Sequence, residues 1–317
     1  MAKALVPALA AVVFGTSCAP HLTNVTSDPR NSTAVTAQGK VPESFPGNFA
    51  IMVGAGDIAY DGPGAEATAK LLDNIPGTVF TLGDNAYQNG SLGEYQKYYH
   101  PSWGRHLKRT RPVVGNHEYR TPGAAGYFQY YGERAGDPAK GYYSFDVSPD
   151  WHVVAINSSE AGRDAAATDL GPNSEQYRWL ERDLDANVGK NVIAMWHHPR
   201  FSSGAHGDND ELDAIWRLLY LKGVDIALWG HDHHYERFHA MDGRGKREDL
   251  NGVRAFVVGT GGKNHYPFFK LPKRTTAVRN SKTFGVLKLT LYKQGYEWDF
   301  VPEAGKDFTD RGRSLVH

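Results

Sequence analysis

The chain has 317 residues, which is room for one large domain or two small ones. Lysine plus arginine and aspartate plus glutamate each number 35, so the net charge is zero and no basic surplus indicates a nucleic-acid-binding protein. A single cysteine excludes an internal disulfide framework. Histidine is frequent, at 14 residues, and it falls in clusters of the kind that metal sites contain.

The N-terminus has the pattern of an export signal. Lys3 precedes an apolar run over residues 4–15 that is too short to span a bilayer comfortably. Cys18 follows this run and resembles the lipid-attachment cysteine of bacterial lipoproteins, although Gly15 stands where an aliphatic residue is expected. We therefore expect residues 1–18 to be a signal peptide and the protein to be exported. Two alternatives stay open, a cell-envelope lipoprotein and a secreted or periplasmic protein.

Residues 19–46 are rich in Ser, Thr, Asn and Pro and predict a flexible linker. The sequence shows no internal repeat and no further boundary, so we expect one catalytic domain over residues 47–317.

Within that domain, β-prone apolar runs alternate with helical patterns, as in an α/β fold. Strands are predicted at residues 49–53, 78–82, 111–114, 144–147, 151–156, 191–196, 224–229 and 253–258, with a β-hairpin at 287–300 closing a second sheet. Helices are predicted at residues 65–73, 92–103, 174–184 and 211–221, the third with Ser174 as its cap.

Five of the predicted strand ends carry side chains that can ligate metals. They are Asp57, Asp84 with Tyr87, Asn116 with His117, His197 with His198, and His231 with His233. Each alone is more often a hydrogen-bonded turn residue, but the ends of such strands converge at the mouth of a sheet. Oxygen and imidazole donors with a bridging carboxylate suit two hard metal ions. The lack of a thiolate ligand excludes a zinc–cysteine site.

The motifs resemble those of the calcineurin-like metallophosphoesterases, and most of all the purple acid phosphatase branch. They are GD at 56–57, GDNAY at 83–87, GNHE at 115–118, HHP at 197–199 and GHDH at 230–233. The wider family usually has Asp-x-His as its first motif, but Ala59 stands in the place of that histidine. Purple acid phosphatases also lack it and use a tyrosine from the second motif, where Tyr87 stands. Because residues 56–60 repeat the GDxAY pattern, Tyr60 is the alternative phenol.

The resemblance implies a fold and a set of residue roles. The fold is a four-layer α/β/β/α sandwich of two mixed β-sheets with flanking helices and a dimetal site at the strand C-terminal ends. Asp57, Asp84, Tyr87 and His233 would hold the first metal, Fe(III), and Asp84, Asn116, His197 and His231 the second, Fe(II), Zn(II) or Mn(II). His117 would be the general acid. His206 lies in a loop where relatives place phosphate-contacting histidines, and its alternative is a solvated loop residue.

The implied reaction is hydrolysis of a phosphomonoester. A metal-bound hydroxide attacks phosphorus and His117 protonates the leaving group. One alternative is a phosphodiesterase acting on nucleotides or lipid headgroups, and another is a catalytically silent binding protein on the same fold. We expect a small phosphorylated substrate as partner, no nucleic-acid binding, and membrane attachment through a lipidated Cys18 in the lipoprotein alternative. The natural substrate and the oligomeric state are left open.

Overall fold

The computed structural model describes residues 41–159 and 170–317. The predicted signal peptide with Cys18, and most of the predicted linker, lie outside these residues. Within the two described ranges, no helix combines the length and the apolar character that a membrane span requires. Phe45, which the linker prediction includes, is buried and packs against Tyr292, with ring centroids 5.3 Å apart. The packed part of the chain therefore begins before residue 47.

Two β-sheets lie at the centre of the domain. Their strands are β1 (Phe49–Ala55), β2 (Thr78–Thr81), β3 (Thr110–Arg111), β4 (Tyr143–Ser148), β5 (Trp151–Ala155), β6 (Asn191–Trp196), β7 (Ile226–Trp229), β8 (Tyr235–Phe238), β9 (Arg254–Val258), β10 (Thr276–Asn280), β11 (Gly285–Tyr292), β12 (Gly295–Pro302) and β13 (Arg311–Leu315). The six-stranded sheet has the order β13-β12-β11-β1-β2-β3, and the seven-stranded sheet has the order β10-β8-β9-β7-β6-β5-β4.

Both sheets mix parallel and antiparallel pairs. β1, β2 and β3 are parallel to one another in the first sheet, and β5, β6, β7 and β9 are parallel in the second. The β11–β12 hairpin forms as predicted, but β11 pairs with β1, so the hairpin extends the first sheet instead of closing a second one. The parallel strands direct their carboxyl ends toward the loops that carry the motifs.

Helices flank the sheets. They are α1 (Gly64–Asp73), α2 (Leu92–Glu94), α3 (Ala125–Tyr131), α4 (Glu175–Ala186) and α5 (Asp213–Leu221). Alternate residues of β6 face opposite sides, as strand geometry requires: Val192 and Trp196 pack with α4 and α5, whereas Ile193 and Met195 join the core shared with the first sheet. This layering confirms the predicted α/β fold of two mixed sheets with flanking helices.

One predicted helix is wrong in its extent. Instead of a single helix over 92–103, α2 continues as a π-helical turn, Tyr95–Tyr99, and a separate 3₁₀ helix spans Trp103–Arg109. Pro101 lies between the two pieces, and a proline lacks the N–H that a continuing helix needs. The predicted cap of α4 is confirmed, because Ser174 Oγ accepts a hydrogen bond from the backbone N–H of Tyr177 at 3.1 Å.

Candidate metal centre

The two GDxAY segments, residues 56–60 after β1 and 83–87 after β2, lie side by side. The backbone N–H of Asp57 donates to Gly83 at 3.1 Å, and that of Tyr87 donates to Ala59 at 2.8 Å. This parallel pairing extends the β1–β2 ladder past the strand ends. It places Asp57 and Asp84 at equivalent positions, so both carboxylates reach the same edge of the sheet.

The backbone at this edge is strained. Asp57, Asp84 and His231 hold positive φ angles of 60°, 49° and 66°, three of the four such values among the non-glycine residues that the structure describes. Left-handed backbone is uncommon outside glycine, and strain of this kind concentrates at functional sites. The packing around the three side chains therefore overrides their backbone preference.

Two glycines allow the loops to approach closely. A Cβ on Gly83 would lie 2.5 Å from His197 Nδ1, and a Cβ on Gly115 would lie 2.3 Å from the backbone nitrogen of Asp84. Any side chain there would displace these neighbours. The glycine that begins each of these two motifs, GDNAY and GNHE, is thus required by the contact between loops.

A first cluster of donors surrounds the Tyr87 hydroxyl. The hydroxyl lies 2.9 Å from Asp57 Oδ1, 3.1 Å from Asp84 Oδ2 and 3.2 Å from His233 Nε2. His233 Nδ1 contacts Asn264 Oδ1 at 3.1 Å, which directs Nε2 into the cluster. These four side chains are the set predicted for the first metal.

A second cluster shares Asp84 with the first. His197 Nε2 lies 3.4 Å from Asp84 Oδ1, 3.0 Å from Asn116 Oδ1 and 3.3 Å from His231 Nδ1. His197 Nδ1 lies 2.7 Å from the Leu82 carbonyl and donates its proton to it, so Nε2 is the nitrogen that faces the cluster. The structure thus brings together the four side chains predicted for the second metal.

Tyr60, the alternative phenol, has different surroundings from Tyr87. Lys263 Nζ lies over both rings, 4.0 Å from the Tyr60 centroid and 5.0 Å from the Tyr87 centroid, but only the Tyr87 hydroxyl contacts Asp57, Asp84 and His233. A Cβ on Gly62 would lie 2.7 Å from the Tyr60 hydroxyl oxygen, so this ring folds back over its own turn. The geometry favours Tyr87 as the phenol donor.

His117 lies at the rim of the centre. Its Nδ1 is 2.6 Å from the Gln88 carbonyl, and its Nε2 is 3.7 Å from Asp84 Oδ2. Its backbone N–H donates to Asp84 Oδ1 at 2.9 Å, and its ring packs edge-on against Tyr87 with centroids 4.5 Å apart. The imidazole is therefore fixed beside the cluster while its Nε2 remains half-buried.

Two further imidazoles border the second cluster. His206 is exposed, and its ring centroid lies 4.2 Å from that of His231. Its backbone N–H donates to Asp232 Oδ1 at 3.0 Å, which anchors the loop. The His198 ring lies 4.4 Å from the His231 ring, and its Nδ1 contacts Ser158 Oγ at 3.1 Å. Both rings thus lie against His231 at the border of the second cluster.

The charges in the centre are strongly coupled. Burial would lower the pKa of His197, but the Asp84 carboxylate beside it raises that pKa to about 9. Conversely, burial would raise the pKa of Asp84, and His197 holds it well below its usual range. Burial and the Asp57 carboxylate raise the pKa of Tyr87 well above its usual value. In the metal-free protein Tyr87 is therefore a neutral phenol.

The imidazoles of His198 and His231 stay neutral. Burial and the neighbouring His197 lower the pKa of His198 to about 3, and burial with His198 lowers the pKa of His231 well below its usual value. Neutral imidazole is the form that ligates metals.

The donor set fits two metal ions. Asp57, Asp84 and His197 each offer an atom within 4.8 Å of the others, and so do His197, His198 and His231. The donors are carboxylate and phenol oxygens, an amide oxygen and imidazole nitrogens, the ligands that suit iron, zinc and manganese. The residues present are consistent with a dinuclear centre bridged by Asp84.

Sequence reasoning missed Glu118 as a functional residue. Its buried carboxylate accepts backbone N–H groups from Asp84 at 3.0 Å, Asn85 at 2.7 Å and Gly115 at 2.7 Å. These bonds fix the second GDxAY segment to the GNHE loop. The signal was present, because Glu118 is the last residue of the GNHE motif.

The loop after β9 was also missed. Asn264 contacts His233, and the Tyr266 ring stacks on the His233 ring with centroids 4.2 Å apart and an 11° tilt. The backbone N–H of Lys263 donates to Asp57 at 3.0 Å. The glycines at 259, 261 and 262 that follow β9 mark a sixth strand end at the same edge, which was the available signal.

Comparison with known proteins agrees with this geometry. The sequence profile of the Calcineurin-like phosphoesterase family matches residues 42–235. Purple acid phosphatase 15 from Arabidopsis thaliana is 29% identical over 258 residues, covering 70% of this chain and 46% of that protein. This chain spans less than half the length of the curated purple acid phosphatases that it matches.

Solved structures share the fold. The purple acid phosphatase PPD1 from yellow lupin superposes with a TM-score of 0.69 at 19% identity, covering 84% of this chain and 54% of that one. GAP50, described as the anchor in the inner membrane complex of Plasmodium, has a TM-score of 0.65 at 15% identity, with 85% and 89% covered. The family profile matches more than half of the chain. The chain therefore belongs to the calcineurin-like phosphoesterase family, with purple acid phosphatases among its relatives.

Proposed function

We propose that this protein is a purple acid phosphatase-like phosphomonoesterase that uses two metal ions. The observation that carries the proposal is the position of Asp84, whose two oxygens face two different donor clusters. Asp57, Tyr87 and His233 would complete a first site for Fe(III). Asn116, His197 and His231 would complete a second site for Fe(II), Zn(II) or Mn(II). Two bound ions would neutralise the phosphate charge and supply an activated water at neutral pH.

The chain's own contribution to the reaction centres on His117. Its Nδ1–H donates to the Gln88 carbonyl, so the imidazolium form carries its second proton on Nε2. When the ester P–O bond breaks, that proton passes to the leaving alkoxide, and His117 becomes neutral. His117 Nε2 lies 3.7 Å from Asp84 Oδ2, which places this nitrogen beside the two donor clusters.

His206 is proposed to contact the substrate phosphate. Its exposed ring lies beside His231, and Asp232 anchors its backbone. Asp232 also accepts a hydrogen bond from Ser202 Oγ, so the loop is held at two points. This anchoring keeps an imidazole donor at the open side of the centre.

The test combines metal analysis of purified protein with rates on 4-nitrophenyl phosphate and bis(4-nitrophenyl) phosphate. The proposal expects two metals per chain and faster hydrolysis of the monoester. Faster hydrolysis of the diester would make the protein a phosphodiesterase. Bound metal without hydrolysis of either ester would indicate a catalytically silent binding protein on the same fold.

We also propose that the protein is exported, because the apolar run over residues 4–15 followed by Cys18 has the pattern of an export signal. A Cys18→Ser variant expressed in a bacterium should move from the membrane to the soluble fraction if Cys18 carries lipid. Unchanged fractionation outside the cytoplasm would indicate ordinary secretion.

A further inference from the structure

The loop over residues 263–274, which joins β9 to β10, links the metal centre to the protein surface. At its start, Asn264 and Tyr266 hold His233 in place. Three residues after Tyr266, the chain reaches Phe269. Because an extended chain advances at most about 3.6 Å per residue, Phe269 lies within about 11 Å of Tyr266 along the backbone. Whatever the loop contacts is therefore close to the centre.

The tip of the loop exposes two large apolar side chains. Phe269 is 78% exposed and Leu271 is 88% exposed, whereas the other exposed large apolar side chains of the described residues do not exceed 56%. Single exposed apolar residues are ordinary, so the feature that requires an explanation is the occurrence of two such residues within three positions of one loop.

The base of the loop is fixed. Phe268 packs edge-on against the His234 ring with centroids 4.9 Å apart, and the Arg279 guanidinium lies 4.1 Å above its ring. Arg279 also donates to the Lys270 carbonyl at 3.0 Å. Adjacent phenylalanines thus have opposite environments, and the anchored base presents Phe269 and Leu271 to solvent.

Basic residues surround this apolar tip. The loop contains Lys263, Lys270, Lys273 and Arg274 and no acidic residue, in a chain with zero net charge. Lys273 pairs with Asp208 at 2.8 Å, whereas Lys270 and Arg274 are exposed. The local field therefore attracts anions on the side of the molecule where the tip emerges.

We propose that the 263–274 loop binds an anionic lipid surface and thereby positions the metal centre beside that surface. Phe269 and Leu271 enter the boundary between headgroups and acyl chains, and Lys270 and Arg274 contact lipid phosphates. Apolar side chains combined with basic neighbours are what binding at a lipid interface requires. A protein partner would need about 800 Å² of complementary surface, which a two-residue tip on an irregular loop does not supply.

This inference deepens the proposed phosphatase function and rests on it for the choice of substrate. A loop that places the metal centre at a lipid surface gives access to phosphate esters presented in that surface. The substrate class is therefore an amphiphilic phosphomonoester, for which phosphatidic acid in vesicles is the probe.

The experiment measures cosedimentation of the full chain with vesicles of phosphatidylcholine alone and with added phosphatidylglycerol. A Cys18→Ser background removes any anchoring by attached lipid. We expect binding to the anionic vesicles that weakens with salt, and a loss of at least about tenfold in affinity for Phe269→Ser/Leu271→Ser. Phe49→Ser/Leu221→Ser is the matched control, because these residues are each 56% exposed, and Phe49 lies at the start of β1, away from the metal centre. The control should bind as the parent does.

Hydrolysis is measured on the same proteins. Phe269→Ser/Leu271→Ser should retain its rate on soluble 4-nitrophenyl phosphate and lose at least about tenfold on phosphatidic acid in vesicles. No binding of the parent to anionic vesicles, equal binding to neutral ones, or unchanged binding by the tip variant would each overturn the inference. Vesicle binding without hydrolysis of the soluble ester would instead refute the phosphatase and leave the lipid contact standing.

Discussion

Two segments share the pattern Gly-Asp-x-Ala-Tyr and lie side by side, but their final tyrosines have different surroundings. Residues 56–60 and 83–87 run parallel, and both aspartates enter the donor clusters. Tyr87 is 2% exposed, with its hydroxyl between two carboxylates, whereas the Tyr60 ring folds back over its own turn beside Gly62. A repeated motif therefore does not imply a repeated role.

The neighbours of the segments explain the difference. Glu118 fixes the second segment through the backbone N–H groups of Asp84 and Asn85, and the His117 ring packs on Tyr87. The first segment is fixed from the other sheet, where the His231 N–H donates to Asp57 Oδ2 at 2.8 Å. The GNHE loop thus supports the segment that carries Asp84.

The largest expected effect separates the two aspartates. Asp84→Ala should lose both metals and at least about 10³-fold in activity, because Asp84 belongs to both clusters. Asp57→Ala, the matched control in the first segment, should lose mainly the first metal. Metal content and the rate on 4-nitrophenyl phosphate measure both effects. Retention of two metals by Asp84→Ala would exclude a bridge.

The next largest effect is expected at His117, the proposed general acid, whose ring packs on Tyr87 of the second segment. His117→Asn should keep both metals but slow hydrolysis of alkyl phosphates by about 10²–10⁴-fold. Nitrophenyl esters should suffer less, because nitrophenolate leaves without a proton. Kinetics on both ester types check this. An equal loss on the two would show that His117 orients the substrate and does not protonate it.

A spectroscopic difference should distinguish the two tyrosines. Phenolate bound to ferric iron absorbs visible light, and the raised pKa of Tyr87 means that its proton leaves only when a metal replaces it. Iron-loaded protein should be coloured, Tyr87→Phe should be bleached, and Tyr60→Phe should keep the band. Bleaching by Tyr60→Phe alone would reverse the assignment of the phenol.

The smallest expected effect is at His152, whose imidazole lies between two carboxylates and is not assigned to a metal. His152 contacts Asp146 at 2.7 Å and Asp183 at 2.8 Å. Burial opposes its charge, but these hydrogen bonds raise the pKa of His152 above its usual value. The folded state therefore gains stability that is fully present below about pH 6.5 and is lost as the pH rises through the folded-state pKa.

Urea unfolding of a His152→Gln variant measures that contribution. The variant should be less stable than the parent by about 1–2 kcal/mol at low pH, with the difference shrinking as the pH rises. A difference independent of pH would mean that His152 acts through packing and not through its charge. Unlike Tyr87, this ring should respond to pH and not to removal of metal.

The sequence by itself determined where the candidate metal ligands are. Each lies directly after a buried apolar run. The two signals that locate it, the periodicity of the strand and the polar residue that follows, are both local, because they are visible over a few positions. Asp57, Asp84, Asn116, His197 and His231 could be placed at strand ends for this reason. The Ser174 cap was predictable on the same basis, because it depends on residues three positions apart.

Only the tertiary structure decided how those residues are supported. Asn264 reaches His233 and Glu118 reaches Asp84 across more than 30 positions of chain, and the hairpin joined the first sheet through β1. The choice of Tyr87 over Tyr60 likewise followed from the contacts of Tyr87 with His117, Asp57 and His233, which are distant in sequence. Local patterns report which strand a residue follows. The direction of its side chain depends on packing between loops that meet only when both sheets have formed.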